Sequence, residues 1–432
     1  MSAGLSELFK NTAQTLPPIE SNEFGANFDV FGNSRLVLIG DGSHGTSEFY
    51  RARAAITKRL IEEHGFTHVA IESDWPDARA IDQYVRQHPR RSEGVPIRVF
   101  DHFPRWMWRN TEVQEFVDWL REHNAKLPMS QRTSFNGLDL YSMGASTRAV
   151  VEYLDRVDPA LAKAARKRYG CLEPWLHDPQ EYGRKSFYEG TAQCEPGVIK
   201  MLQELLSNRI QLASHPENGE AFLDAEMNAR VVQDSEVYYR AMFYGDKSSW
   251  NIRDTHMFST LSRLIKLKPG SKAVVWAHNS HLGDARGSSM GTKRGELNLG
   301  QLCREHFPNE VSIIGCGTHT GTVAAADEWD APMKIMHVVP SRPDSYERMM
   351  HDTGIPSFMA DLHGVKTEPM LQRFIGVIYR PSTERWSHYI QTVLTEQYDA
   401  FLWFDETNAV HAFETAQPRE ALSVGETYPF GV

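Results

Sequence analysis

The sequence lacks any apolar run approaching the ~20 residues that cross a bilayer, so no membrane-spanning helix is expected. It also lacks a block of basic residues. Lys and Arg number 46 against 56 Asp and Glu, for a net charge of −10. That balance argues against a nucleic-acid partner and against an anionic membrane surface. Cysteine is scarce: Cys171, Cys194, Cys303 and Cys316 are too scattered to suggest a disulfide framework or a C-x-x-C metal site. The opening residues Met1-Ser2-Ala3-Gly4-Leu5-Ser6-Glu7 show no basic region leading into an apolar core. These absences make a reducing cytoplasm the expected compartment. There is no G-x-S-x-G nucleophile elbow. Gly40, Gly42 and Gly45 match neither the dinucleotide G-x-G-x-x-G pattern nor the P-loop with its lysine, so nucleotide binding is not expected there. Internal repeats and low-complexity linkers are missing as well.

What remains is the composition of a globular protein, 41% hydrophobic and 24% charged. Several short apolar runs read as buried strands: Arg35–Ile39, His68–Ile71, Ser134–Leu138, Ala273–Ala277, Val311–Ile314, Arg373–Tyr379 and Ala400–Phe404. Helical spacing fills Glu48–Glu63 and Glu112–His123. This alternation predicts an α/β fold, a three-layer α/β/α arrangement with a mostly parallel sheet. Ala145–Leu267 differs, with few strand signals and many helix formers. Ser146–Val157, Leu161–Arg168, Gly197–Leu212, Gly219–Tyr244 and Asn251–Leu267 read as helices, with a turn at Ser214–Gly219. One unit over residues 1–432 is therefore expected, with an α/β catalytic core of 1–144 and 268–432. An all-helical subdomain of 145–267 is inserted between the third and fourth of these strands.

The polar residues fall in a pattern on this outline. The first strand runs into Asp41 and His44, the second ends in Glu72, and the third ends in Asp139 followed by Tyr141. The fourth ends in His278-Asn279-Ser280-His281. Ligands of open α/β sheets bind at the carboxyl ends of the strands. Carboxylates and imidazoles gathered there suit acid–base or metal-assisted hydrolysis. Arg53, on the first helix, could bind a substrate carboxylate or steady an oxyanion. Arg253 and Asp254 read as structural ion-pair partners. Trp75, Asp139, Tyr141, Asn279 and Trp386 are the expected substrate contacts. No nucleophile stands out, since Cys316 reads as a buried thiol, so attack by an activated water without a covalent intermediate is expected. Three readings stay open on the residues alone. The first is a hydrolase using His-activated water without a cofactor. The second is a hydrolase with a divalent metal held by His44, Glu72, His278 and His281. The third is a small-molecule-binding protein with little catalysis. The expected partner is a small molecule, and no residue pattern specifies an oligomeric state.

These blocks resemble the erythromycin esterase family over nearly the whole chain. The family's opening pattern, a strand followed by Gly-Glu-x-x-His-Gly, stands here as Gly40-Asp41-Gly42-Ser43-His44-Gly45. Its helix arginine falls at Arg53, its second-strand glutamate at Glu72, and its later histidine pair at His278 and His281. Arg253-Asp254-x-x-Met257, Thr320-Gly321-Thr322 and Ile375–Pro381 are similar to further blocks of the family. The resemblance implies cleavage of a small-molecule carboxylic ester, with the lactone of macrolide antibiotics, and hence antibiotic resistance, as the family's association; under the binding reading it implies a polyketide- or sugar-binding protein with little catalysis. It implies His44 as general base toward water, with Asp41 and Glu72 orienting or polarising it. Arg53, His278 and His281 would hold the ester and stabilise the tetrahedral oxyanion. One departure matters: Asp41 stands where the family has Glu, with the same charge on a shorter side chain.

Overall fold

The computed structural model describes residues 2–88, 96–190, 193–208, 219–245 and 247–413. The strands are β1 (Ala13–Thr15), β2 (Leu36–Ile39), β3 (His68–Asp74), β4 (Ser134–Asp139), β5 (Ala273–Trp276), β6 (Val311–Ala325), β7 (Lys334–Val338), β8 (Ser357–Asp361), β9 (Met370–Arg373), β10 (Tyr389–Thr392) and β11 (Ala400–Thr407). Nine strands form one sheet in the order β1-β8-β11-β6-β2-β5-β3-β4, with β7 added on β6. The run β11, β6, β2, β5, β3 is parallel. β8 and β7 join it antiparallel, and β1 pairs antiparallel with β8. The fold is thus mixed α/β with a central, mostly parallel sheet. β2 and β5 are buried throughout, which is why they read as continuous apolar runs.

The chain forms two compact units. One takes its described residues from Met1–Ile71, Ile81–Phe135 and Leu264–Val432; the other takes them from Glu72–Ala80 and Asn136–Arg263. The second unit therefore owns the carboxyl ends of β3 and β4 as well as a set of helices. Those helices are Met143–Val157, Pro159–Tyr169, Pro179–Tyr188, Glu195–Ser207, Gly219–Ala241 and Ser248–Lys266. The first five of these share a core that includes Val150, Leu154, Leu161, Met201, Phe222 and Val232. The expected turn at Ser214–Gly219, apart from Gly219 itself, and the end of the expected helix Gly197–Leu212 lie outside the described residues. No helix among the described residues is long and apolar enough to cross a membrane.

Three expectations need correction. Arg373–Tyr379 is not a strand. β9 ends at Arg373, and Phe374–Tyr379 continues as an irregular, buried segment held by isolated bridges, Ser43 to Ile375 and Ala326 to Ile378. Its apolar residues are buried against loops, and apolarity alone does not separate that from a strand. Val311–Ile314 is only the start of β6, which continues to Ala325 through glycines and threonines. Gly321 sits at φ 123°, where a Cβ would lie 1.9 Å from the Thr407 oxygen, so this pairing with β11 requires glycine. Finally, Cys171 and Cys194 stand as a disulfide within the second unit, with Cα atoms 5.8 Å apart. They lie 23 residues apart, and packing of the intervening helices brings them together. Cysteine usage therefore no longer argues for a reducing compartment. Cys303 and Cys316 are free and buried, and burial pushes both thiols well above their ordinary range.

Burial also lowers the imidazoles of His68, His319 and His388 from 6.5 to about 4. A depressed histidine contributes stability that is full above its unfolded value and lost as pH falls toward its folded one. Each should cost at most about 1.4 kcal/mol per pH unit between about 6.5 and 4. The raised carboxyls Asp74, Glu347 and Glu384 pull the other way, so the slope is read by difference. His388→Gln should flatten the dependence of the urea midpoint on pH over that window; an unchanged slope would contradict the assignment.

Candidate active site

In the first unit the site is built on the loop after β2. Gly40 N–H donates to the Ile314 oxygen (2.8 Å), continuing the β2–β6 ladder. The Gly45 oxygen accepts from Ala324 N (3.0 Å) and Val410 N (3.0 Å). A Cβ on Gly45 would meet the Ala324 oxygen at 1.8 Å, so this glycine permits the close approach of β6. The irregular segment 374–379 braces the same loop: Ile375 N donates to Gly42 O (2.9 Å) and His44 N donates to Ile375 O (3.2 Å).

This scaffold buries Asp41 and His44 completely. Asp41 Oδ2 accepts from Arg53 Nη1 at 2.7 Å. Its Oδ1 lies 3.5 Å from His44 Nδ1, an electrostatic contact longer than a hydrogen bond. Burial pushes the Asp41 carboxyl up, but the charge of Arg53, then the neighbouring imidazoles of His44 and His278, outweigh it, and the net displacement is downward. Asp41 is held as a carboxylate. Arg53 is itself fully buried, its guanidinium 4.4 Å from the Tyr50 ring and 5.3 Å from that of Trp276. Its Nε and Nη2 have no hydrogen-bond partner among the described residues. The helix Ser47–His64, which buries Phe49, Ala52, Arg53, Ile56, Leu60 and Ile61 on one side, carries Arg53 back to the loop.

His278, at the end of β5, has its ring centroid 4.8 Å from that of His44. Its Nδ1 accepts from Ser280 N (3.3 Å), capping the short helix Asn279–Leu282. The same nitrogen lies 2.8 Å from Ser280 Oγ; with Nδ1 accepting the cap bond, the neutral ring carries its proton on Nε2. His281 is fully buried on the same short helix. Asn279, expected at the substrate, is used structurally: its Nδ2 donates to the Cys316 oxygen (2.7 Å) and its Oδ1 accepts from Cys316 N (3.2 Å). Trp386 is 80% exposed on the short helix Glu384–Ser387.

The second unit gathers the other predicted acids. Arg253, from the helix Ser248–Lys266, sends Nη2 to Glu72 Oε1 (2.7 Å) and to Asp139 Oδ2 (2.7 Å). Its Nε reaches Asp139 Oδ1 at 3.0 Å, and the Tyr141 ring lies 5.0 Å from the guanidinium. Burial alone would lower the Arg253 guanidinium, but Asp139, Tyr141 and Glu72 outweigh it and fix its charge. Asp74 Oδ1 accepts from Tyr141 N (2.8 Å). Burial, then the charges of Asp139 and Asp77, push the Asp74 carboxyl well above its ordinary range. Trp75 is buried and donates Nε1–H to Asp224 Oδ1 (2.8 Å). Arg253 is an ion-pair partner, as expected, and what the sequence could not give is that its partners stand at the ends of β3 and β4.

Among the described residues, no group of three or more His, Cys, Asp or Glu is placed to hold a metal ion. The arrangement can do acid–base chemistry: a histidine beside an ionised aspartate, and a second histidine that donates through Nε2.

Comparison with known proteins adds the following. A family model described as erythromycin esterase matches residues 61–407, beginning after the Gly40–Gly45 loop. YbfO of Bacillus subtilis (strain 168), whose designation as a hydrolase is itself provisional, is 22% identical over 410 residues, covering 87% of this chain and 84% of YbfO. Erythromycin esterase type II of Escherichia coli is 27% identical over 335 residues, covering 71% of this chain and 76% of that protein. The solved structure of an erythromycin esterase EreC mutant in its open conformation matches with a TM-score of 0.71 at 19% identity, over 94% of this chain and all of that one.

Proposed function

Because the chain belongs to the erythromycin esterase family and is on that ground a hydrolase, we propose that it cleaves a carboxylic ester by His44-activated water, with macrolide lactones as the first substrate class to test. The observation that carries this reading is the fully buried Asp41–His44 pair, backed by Arg53 on the other carboxylate oxygen. Asp41 favours the His44 tautomer with its proton on Nδ1, which leaves Nε2 to take a proton from water. The contact of 3.5 Å would shorten as His44 gains charge in the transition state. His278, protonated on Nε2, is the donor to the developing oxyanion. Arg53 acts through Asp41, and this reading moves it from substrate contact to positioning residue. Glu72 and His281 enter the catalytic set by resemblance to the family pattern. Collapse of the tetrahedral intermediate breaks the acyl–oxygen bond, and the proton held by His44 passes to the leaving alkoxide.

The test is a hydrolysis screen of macrolides and 4-nitrophenyl esters by mass spectrometry. A macrolide product heavier by one water, or cleavage of a 4-nitrophenyl ester to its acid and 4-nitrophenol, supports the reading, and an unchanged panel refutes it. The reaction is proposed without a metal. A second arm measures bound metal and activity after chelation; a stoichiometric ion whose removal abolishes turnover would replace this mechanism with the metal-dependent alternative.

A further inference from the structure

Arg253 holds two acids through a single fork of nitrogens. Asp139 takes Nε at 3.0 Å and Nη2 at 2.7 Å, fixing the plane of the guanidinium. The same Nη2 then reaches Glu72 Oε1 at 2.7 Å. The Tyr141 ring, 5.0 Å away, stacks on the group, and Tyr141 is itself packed edge-on against Tyr238 with centroids 5.5 Å apart. Glu72, Asp139 and Arg253 are all buried. The fork therefore holds both carboxylates in fixed orientations at the carboxyl ends of β3 and β4.

We propose that Arg253 is a positioning residue for the hydrolytic reaction, oriented by Asp139 and in turn fixing the carboxylate of Glu72. The proposal rests on the reading of Glu72 as a member of the catalytic set. Arg253 itself touches no reacting atom; it acts by holding Glu72 in one orientation. A lysine cannot reproduce the arrangement, because a point ammonium lacks the planar fork that engages both acids.

The experiment measures kcat and KM for wild type, Glu72→Gln, Arg253→Met, Arg253→Lys, Asp139→Asn and the double variant Glu72→Gln/Arg253→Met. The substrate is whichever macrolide or 4-nitrophenyl ester the wild type cleaves fastest, and rates are expressed per folded protein from the unfolding profile. Arg253→Met is expected to lower kcat by about 10- to 100-fold with KM changed by less than about threefold, as for loss of an orienting neighbour. Arg253→Lys should recover part of that loss. The double variant should be no more than about threefold slower than the slower single variant, because both substitutions remove the same contribution. Losses that multiply in the double variant, or a folded Arg253→Met with wild-type kcat while Glu72→Gln is impaired, would overturn the proposal. If Arg253→Met does not fold, Asp139→Asn and Arg253→Lys carry the test, and wild-type kcat in both would overturn it. Wild-type rates in Glu72→Gln would instead remove Glu72 from the catalytic set, and the proposal with it. Absence of hydrolysis by the wild type would overturn the hydrolase reading itself.

Discussion

His44→Gln is expected to lower kcat/KM by about a thousandfold or more while leaving the unfolding midpoint close to that of the wild type. A positioned general base contributes typically 10²–10⁴ in rate. Glutamine approximates the volume of histidine and can hydrogen-bond, but it cannot accept the proton of an attacking water at neutral pH. The fold should tolerate the change, because the loop is held through backbone groups, Gly45 O to Ala324 N and Val410 N and His44 N to Ile375 O. His278→Gln should cost less, on the order of a hundredfold, since it removes one donor to the oxyanion. Initial rates and thermal unfolding on the same preparations check both. A folded His44→Gln protein with undiminished turnover would remove His44 from its role.

Arg53→Met is expected to destabilise the protein by about 3–5 kcal/mol and to abolish activity. The 2.7 Å ion pair with Asp41 has both side chains at 0% exposure. Removing one partner of such a pair strands the other charge, which costs far more than the pair contributes as a whole. Arg53→Met/Asp41→Asn, with no charge left to strand, should therefore be more stable than Arg53→Met alone, although still inactive. Denaturant midpoints of the two variants decide this, and a double variant less stable than Arg53→Met would contradict it. The same packing bears on the aspartate that stands in place of the family's glutamate. Asp41→Glu inserts a methylene into a closed space, with an expected cost of about 1–3 kcal/mol and reduced turnover. A gain in esterase activity would show that Asp41 tunes the natural site away from hydrolysis.

Much of this architecture is legible in the residues, and what is hidden has physical reasons. β2 and β5 announce themselves because a strand buried on both faces must be continuously apolar. Asp41, His44, Glu72 and His278 are visible because they interrupt or directly follow such runs. β6 beyond Ile314 is hidden because its glycines and threonines weaken the strand signal, although close approach to β11 requires Gly321. Phe374–Tyr379 misleads in the opposite direction, since it is apolar in order to cover a loop. The Asp41–Arg53 pair spans 12 positions, and the Arg253–Glu72 pair spans 181. No local rule links residues so far apart; only the return of a helix, or the meeting of two strand ends with a helix, does so. Cys171 and Cys194 pair for the same reason.

The most direct test of the central claim is hydrolysis in ¹⁸O-labelled water, followed by mass spectrometry of the product, with wild type and His44→Gln side by side. The account predicts that the wild type places one labelled oxygen in the product carboxylate, and that His44→Gln yields essentially no product. Label in the alcohol, or equal product from both proteins, would contradict it.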